Sequence, residues 1–257
     1  MKVSTKQNWE TFWDSKENAH EFYSNSDRVL RNLRRVLDLK GKKVLEIGAG
    51  TGRDSLNLTK YEAKVYQLDY AASALKLMKE VADETGLPVY LVGGDAFQLP
   101  FEEGTFDVVF HQGLLEHFRE PNATNLLKEN VRVLKPGGLL LVDVPQRYHI
   151  YTVIKHILIA LNAWFAGWER EFSVGELEGK LKGLGLSPVY SYGEWMYPSL
   201  FYRMARQAFL KVGVTLPLHL KTISFLTDLR RRARESMLET RLALYTALSI
   251  GVIARKP

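Results

Sequence analysis

Three glycines, Gly48, Gly50 and Gly52, close an apolar run that includes Val44 to Ile47 and open onto a polar segment from Arg53 to Lys60. A strand that ends in a glycine turn and continues as a helix start offers free backbone N–H groups and a partial positive charge. Glycine also lets a ligand come close to the chain. The chemistry this suits is binding of a nucleotide-like or carboxylate-bearing ligand; the plainer alternative is a structural strand-to-helix turn. Asp69 ends a second run, Lys64 to Leu68, about twenty residues further on. A carboxylate there can accept from both hydroxyls of a ribose, or cap the helix that starts near Ala71, as Ser73 also can. The third glycine stands two positions after the second, so the spacing is not the G-x-G-x-x-G of dinucleotide binders.

The elements that must hold these residues alternate. Residues 1–40 read as a helical arm with Trp9, Phe12, Trp13, Phe22 and Tyr23, and with apolar Val29, Leu30, Leu33, Val36 and Leu37 at helical spacing. That arm packs on a sheet, or its first part folds over the ligand as a lid. Further strands are expected at Val89 to Val92, Phe106 to Phe110 and Leu139 to Val144, with a helix ending at Leu134 and a sharp turn at Lys135-Pro136-Gly137-Gly138. Runs this continuously apolar suit a parallel sheet buried on both faces, and strands alternating with helices indicate a doubly wound α/β fold. In the second half, Tyr148 to Phe165 has a wide apolar face and a polar stripe of His149, Thr152, Lys155, His156 and Asn162. A helix from Gly175 to Gly183, a strand from Pro188 to Tyr192 and a last strand from Ala243 to Ala254 follow.

Composition bounds the rest. The chain has 257 residues, 46% hydrophobic and 25% charged, enough for one large domain with an insertion. It has no cysteine, which removes disulfides, thiolate metal sites and a cysteine nucleophile; no metal is expected. No apolar stretch reaches the roughly 18 residues of a membrane span, and the first residues lack a basic-then-apolar signal pattern. The expectation is a cytoplasmic protein, with peripheral contact at the inner face of the membrane as an added reading. Residues 195–241 hold nine Lys or Arg against three Asp or Glu, an excess equal to the whole chain's net charge of +6.

The segments Glu46-Ile-Gly-Ala-Gly-Thr-Gly52, Gln67-Leu-Asp69, Gly94-Asp-Ala-Phe-Gln-Leu-Pro100, Phe106-Asp-Val-Val-Phe-His-Gln-Gly113, Leu115-Glu-His117 and Arg132-Val-Leu-Lys-Pro-Gly-Gly138 stand in order over residues 40–145. This ordered set resembles the class I S-adenosylmethionine-dependent methyltransferases, above all the small-molecule group with the ubiquinone and menaquinone enzymes. The resemblance implies a Rossmann-like sheet of seven strands, parallel with an antiparallel last strand; the chain divides as arm 1–40, core 41–194 and 242–257, and helical insertion 195–241. It implies S-adenosyl-L-methionine as cofactor and S-adenosyl-L-homocysteine as product. Gly48, Ala49 and Gly50 would hold the methionine part, with Glu46 orienting the loop. Asp69 would hold the ribose, Tyr70 would flank the adenine, and Asp95 and the Ala96 N–H would meet its edge. His111 and Gln112 would lie beside the methionine amine and the methyl group.

Methyl transfer needs an aligned nucleophile and, for a phenol or alcohol, a base. The titratable candidates are His117, His111, His149 and Glu169. His117 either takes the proton or, with Glu116, fixes its loop. Trp13, Tyr23, Tyr148 and Trp168 are candidates to touch the acceptor. No N-P-P-[FY] motif follows the fourth strand, which argues against adenine-N6 and glutamine methylation. The expected acceptor is a small, hydrophobic molecule: quinone-like, lipid-like or another secondary metabolite. The basic, aromatic second half suits a cap, a homodimer contact or an anionic membrane surface, and is too apolar for a nucleic-acid face. A second class of reading is a cofactor-binding protein without catalysis, acting through protein or membrane contacts; an RNA or protein methyltransferase is a further one.

Overall fold

The computed structural model describes residues 5–14, 27–161, 168–195, 200–211, 213–217, 236–238 and 240–257. Seven strands form one sheet in the order β3-β2-β1-β4-β5-β7-β6. They are β1 Lys43–Ile47, β2 Lys64–Asp69, β3 Val89–Gly93, β4 Phe106–Gln112, β5 Leu134–Pro145, β6 Ser187–Glu194 and β7 Ser249–Arg255. The first five run parallel, and β7 is antiparallel between β5 and β6. The sheet therefore has the expected seven-stranded, doubly wound form. Its order turns back at β1 and β4, and the ends of those strands make the crevice where ligands bind in open α/β sheets.

The apolar runs explain the layers. Leu45, Ile47, Val109 and Leu140 pack on one side with Leu126 and Leu127 of helix α5 (Asn122–Val133), while Val44, Val108, Phe110 and Leu141 pack on the other with Val29 and Leu33. Val29 and Leu33 belong to helix α2 (Asp27–Leu33), whose packing on the sheet follows their helical spacing. Helix α4 (Ala72–Thr85) ends at Gly86, in the left-handed conformation that stops a helix.

Three local expectations are revised. The polar segment after the glycines makes only a short helix, α3 (Arg53–Leu56), before a 3₁₀ turn at Asn57–Tyr61. Lys135 to Gly138 is drawn into β5: Leu134 pairs with Phe106, and the register shifts before Leu139 pairs with Val108. Gly137, at φ 76°, absorbs the irregularity. The last strand begins at Ser249, because Ala243–Thr246 forms a short helix instead. That helix lies on β6 so closely that a Cβ on Gly193 would come within 2.1 Å of the Ala243 carbonyl oxygen.

Helix α6 (Ile150–Ala160) divides its burial between the two sides. Of its polar stripe, Lys155 is only 3% exposed, while His149 and Thr152 are half-buried and His156 is exposed. Much of its apolar side faces out: Ile150 is 73% exposed and Leu161, just past its end, 71%, with Val153 and Ile157 also exposed, although Ile159 is buried. Helices α7 (Val174–Lys182) and α8 (Leu200–Lys211) complete the described elements of the second half. Tyr23, Asn162 and the cluster Arg230 to Arg234 lie outside the described residues.

Candidate cofactor and acceptor site

One cavity of about 530 Å³ opens at the carboxyl ends of β1 and β4. Gly48, Ala49 and Gly50 form its floor, with φ of 65° at Gly48 and 55° at Gly50. Asp69 holds this loop in place: one carboxylate oxygen accepts from the Gly50 N–H and the other from the Ala71 N–H, each at 3.0 Å. Asp69 thus fixes the turn before helix α4 and does not cap it, and it lines the cavity. Burial raises the Asp69 carboxyl, while the Ala71 and Gly50 donors favour its ionised form. Tyr70, Asp95, Ala96 and Gln112 line the same cavity. The Asp95 carboxylate accepts from the Phe97 N–H at 2.9 Å, which fixes the turn after β3.

Glu46 is 3% exposed, and its Oε2 has no hydrogen-bond partner among the described residues. Burial, then the nearby Asp54 carboxylate, pushes its carboxyl well above the usual range. A buried acceptor aimed at a cavity is costly unless a donor reaches it. The lining residues include Glu46, Asp54, Asp69, Asp95 and Glu194 against Lys6 and Arg28. An acidic cavity with an unmet acceptor beside a glycine loop suits a ligand with cationic groups and a ribose.

Helix α1 (Lys6–Asp14) closes one wall, with Lys6, Trp9 and Trp13 in the lining. It is docked by Glu10, whose carboxylate accepts from the Ala72 N–H at 2.9 Å and from the Ser73 hydroxyl at 2.7 Å, capping α4 from another helix. Ser73 therefore meets a cap rather than serving as one. Arg28, on α2, donates from Nε to Gln112 Oε1 at 2.9 Å and from Nη1 to Ser249 Oγ at 2.7 Å, and stands 3.3 Å from Asp143. The sequence singled out Trp9 only as part of the aromatic arm, and Arg28, Asp54 and Glu10 not at all. The glycine loop and the motifs around Asp69, Asp95 and His117 pointed at this place, and none of Arg28, Asp54 and Glu10 belongs to them.

The proton-accepting candidates separate. His117 lines the cavity in a 3₁₀ turn, Leu115–His117, with the Trp9 ring edge-on at 5.2 Å. Burial lowers its tendency to protonate, opposed in part by Glu169, whose Oε1 is 3.9 Å from His117 Nδ1. Glu169 stands behind this histidine and donates no face to the cavity lining. His111 is a correction: it is fully buried in β4, outside the lining, with both ring nitrogens unpartnered among the described residues. Strand alternation turns it away from its cavity-lining neighbour Gln112. His149 is another: its Nδ1 accepts from the Tyr151 N–H at 3.1 Å and caps α6, away from the cavity. Of the acceptor candidates, Trp13 lines the cavity, whereas Tyr148 is 62% exposed and Trp168 lies under the Arg119 guanidinium at 4.3 Å, both outside the lining.

Residues 44–138 match the family model of the methyltransferase domain. The chain carries a class I S-adenosylmethionine-dependent methyltransferase domain. The demethylmenaquinone methyltransferase of Geobacillus stearothermophilus is 38% identical over 111 residues, 42% of this chain and 47% of that protein. The phthiotriol/phenolphthiotriol dimycocerosates methyltransferase 1 of Mycobacterium ulcerans is 39% identical over 107 residues, 41% of this chain and 38% of that protein. The chain thus spans about half the length of such relatives or less. The magnesium protoporphyrin IX methyltransferase of Synechocystis PCC 6803, solved with S-adenosylhomocysteine bound, covers 98% of this chain and is covered over 84% of its own, with a TM-score of 0.58. Its 15% identity makes that a likeness of fold. S-adenosylmethionine is the methyltransferase domain's cofactor, and the acidic, glycine-floored cavity fits it.

Proposed function

We propose that this methyltransferase transfers a methyl group from S-adenosyl-L-methionine to a small, hydrophobic acceptor. The observation that carries the proposal is the single cavity that joins the glycine loop and Asp69 to His117 and the Trp9 and Trp13 rings. The bound cofactor supplies an electrophilic methyl group on a sulfonium. Gly48, Ala49 and Gly50 seat its methionine part, Glu46 and Asp54 balance its cationic groups, and Asp69 takes the ribose. Tyr70, Asp95 and Ala96 border the adenine. Gln112, held by Arg28, borders the methionine end. Trp9, Trp13 and Phe118 give the acceptor an apolar wall. His117, neutral near pH 7, takes the acceptor's proton, and Glu169 steadies the imidazolium that results. An electron-rich ring such as a quinol suits this pocket, in keeping with the demethylmenaquinone and dimycocerosate names of the relatives.

The test is methyl-labelled cofactor incubated with reduced demethylmenaquinone and, separately, with a total lipid extract. Label in an acceptor heavier by one methylene is expected. Cofactor binding with no transfer to either would favour the non-catalytic reading.

The outward apolar face of α6 favours a membrane contact as a second feature. Ile150, Val153, Ile157 and Leu161 together offer more apolar surface than a solvent-facing helix needs, and the excess of Lys and Arg in residues 195–241 suits anionic headgroups. Among the described residues no helix is long and apolar enough to cross a membrane, so the contact would be interfacial. Flotation with anionic liposomes should recover the wild type and lose at least half of an Ile150→Ser, Ile157→Ser double variant. Equal recovery of the two proteins would leave α6 to a cap or a second subunit.

A further inference from the structure

The inward face of α6 carries charged groups that cofactor binding does not use. The Lys155 ammonium donates to Glu169 Oε2 at 2.7 Å and pairs with Glu171 Oε1 at 2.7 Å. Glu169 Oε1 stands 3.9 Å from His117 Nδ1 in the cavity wall. Glu171 Oε2 contacts His156 Nε2 at 2.7 Å, and the His156 side chain is 51% exposed. Five side chains thus lead from the cavity to solvent, and the middle three are at most 8% exposed.

Such a cluster is a poor way to stabilise a fold. Taking ions out of water costs several kcal/mol each, and apolar residues of similar volume usually serve as well. Here two carboxylates face one ammonium, and a third carboxyl, Glu116, is buried beside them. Burial, then Glu169, pushes the Glu116 carboxyl well up. Burial works against the Lys155 ammonium, but Glu169 and Glu171 hold its protonation above the ordinary range. The groups facing His117 are Glu169, Lys155, the Gly113 carbonyl and the Trp9 ring. Arg147 and Arg170 both pair with Glu176.

We infer that Lys155, Glu169, Glu171 and His156 form a proton-exit route from His117 to solvent. The inference rests on the proposed reaction. When the acceptor's X–H bond breaks, its electron pair forms the new bond to the methyl carbon and its proton passes to His117. The methyl–sulfur bond breaks with its electron pair kept on sulfur. His117 then gives the proton to Glu169. Lys155 takes it from Glu169 while releasing another to Glu171, so Lys155 remains an ammonium. Glu171 hands that proton to His156, which releases it to water. The 3.9 Å step is longer than a hydrogen bond, as such pairs often are before the site is filled. Glu169, Lys155, Glu171 and His156 are positioning and relay residues, and only His117 touches the acceptor.

The test reads proton movement directly and needs no acceptor. The full chain is prepared with ring-labelled histidine and loaded with S-adenosylhomocysteine to fill the cavity. Exchange of the His117 ring N–H with water is then followed by NMR. His156→Gln and the near-isosteric Glu171→Gln should each slow that exchange roughly tenfold, a modest share of the 10²–10⁴-fold that positioned proton transfer contributes. Free imidazole in the buffer should restore His156→Gln and leave Glu171→Gln slow. Equal exchange in the wild type and both variants would overturn the route, as would imidazole acting equally on both. Failure to find any methyl acceptor would count against the reaction, whereas slowed exchange would still establish the route.

Discussion

Replacing Gly50 by alanine is expected to weaken S-adenosylmethionine binding about a hundredfold while the sheet stays folded. Gly50 has φ 55°, a conformation that costs an L-residue about 1–2 kcal/mol. A Cβ there would also stand 2.6 Å from Cζ2 and 2.8 Å from Cη2 of Trp13, so the aromatic wall must shift. Overpacking of this kind costs about 1–3 kcal/mol. If most of both costs is felt when the ligand needs loop and wall in register, the sum is about 3 kcal/mol, or about two powers of ten in affinity. Calorimetric titration with S-adenosylmethionine and S-adenosylhomocysteine measures the loss, and far-ultraviolet circular dichroism checks the fold. Adding Trp13→Ala to Gly50→Ala should recover part of the affinity, because the collision is gone and only the backbone cost remains. That recovery is the coupling between two contacting residues that a double-mutant cycle isolates. Wild-type affinity in Gly50→Ala would mean that the loop does not seat the cofactor.

The second large effect is on stability. His111 is fully buried, and burial pushes its pKa down to about 3. In the unfolded chain an imidazole titrates near 6.5. Between those values the unfolded state holds a proton that the native state lacks. His111 therefore lowers stability as pH falls from about 6.5 towards 3, by about 1.4 kcal/mol per unit. Above about 6.5 both states are neutral and this group adds no pH dependence. His111→Leu removes the acid limb and two ring nitrogens without partners among the described residues, each of which costs about 1–3 kcal/mol. The variant should be more stable than the wild type at pH 7.5, and its advantage should grow by about 2 kcal/mol at pH 5. Urea unfolding at the two pH values measures this; parallel curves for the two proteins would refute it. Methyl transfer should survive in His111→Leu, because His111 does not line the cavity. A dead enzyme would return His111 to the reaction.

These two residues mark how far the site could be read from the chain. Gly50 and Asp69 were legible because their function is local: a turn that needs positive φ, and a carboxylate at a strand end. His117 was legible because it follows β4 closely enough to fall at the same sheet edge. His111, six residues earlier, has the same chemistry but the opposite strand face, and the pattern of β4 is apolar on both faces and so carries no sign of direction. Arg28 was invisible because its partners Gln112 and Ser249 are 84 and 221 positions away. Glu10 was hidden likewise, as a cap supplied 63 positions from Ser73.

The amino-acid sequence alone determined the strand and helix alternation, the seven-stranded sheet with its reversed last strand, and the cofactor loop. Each rests on short-range periodicity, on the backbone freedom of glycine, or on an ordered set of motifs. The tertiary structure decided which face of α6 looks inward. The sequence left its apolar face to a cap, a dimer contact or a membrane surface; in the fold Glu169 and Glu171 are buried where Lys155 can reach them, and neutralising two buried carboxylates outweighs covering the apolar side. That choice sets Lys155 behind His117 and leaves Ile150, Val153 and Ile157 facing out. It depends on residues that follow α6 in the chain and meet it only in the folded protein, so no pattern within the helix records it.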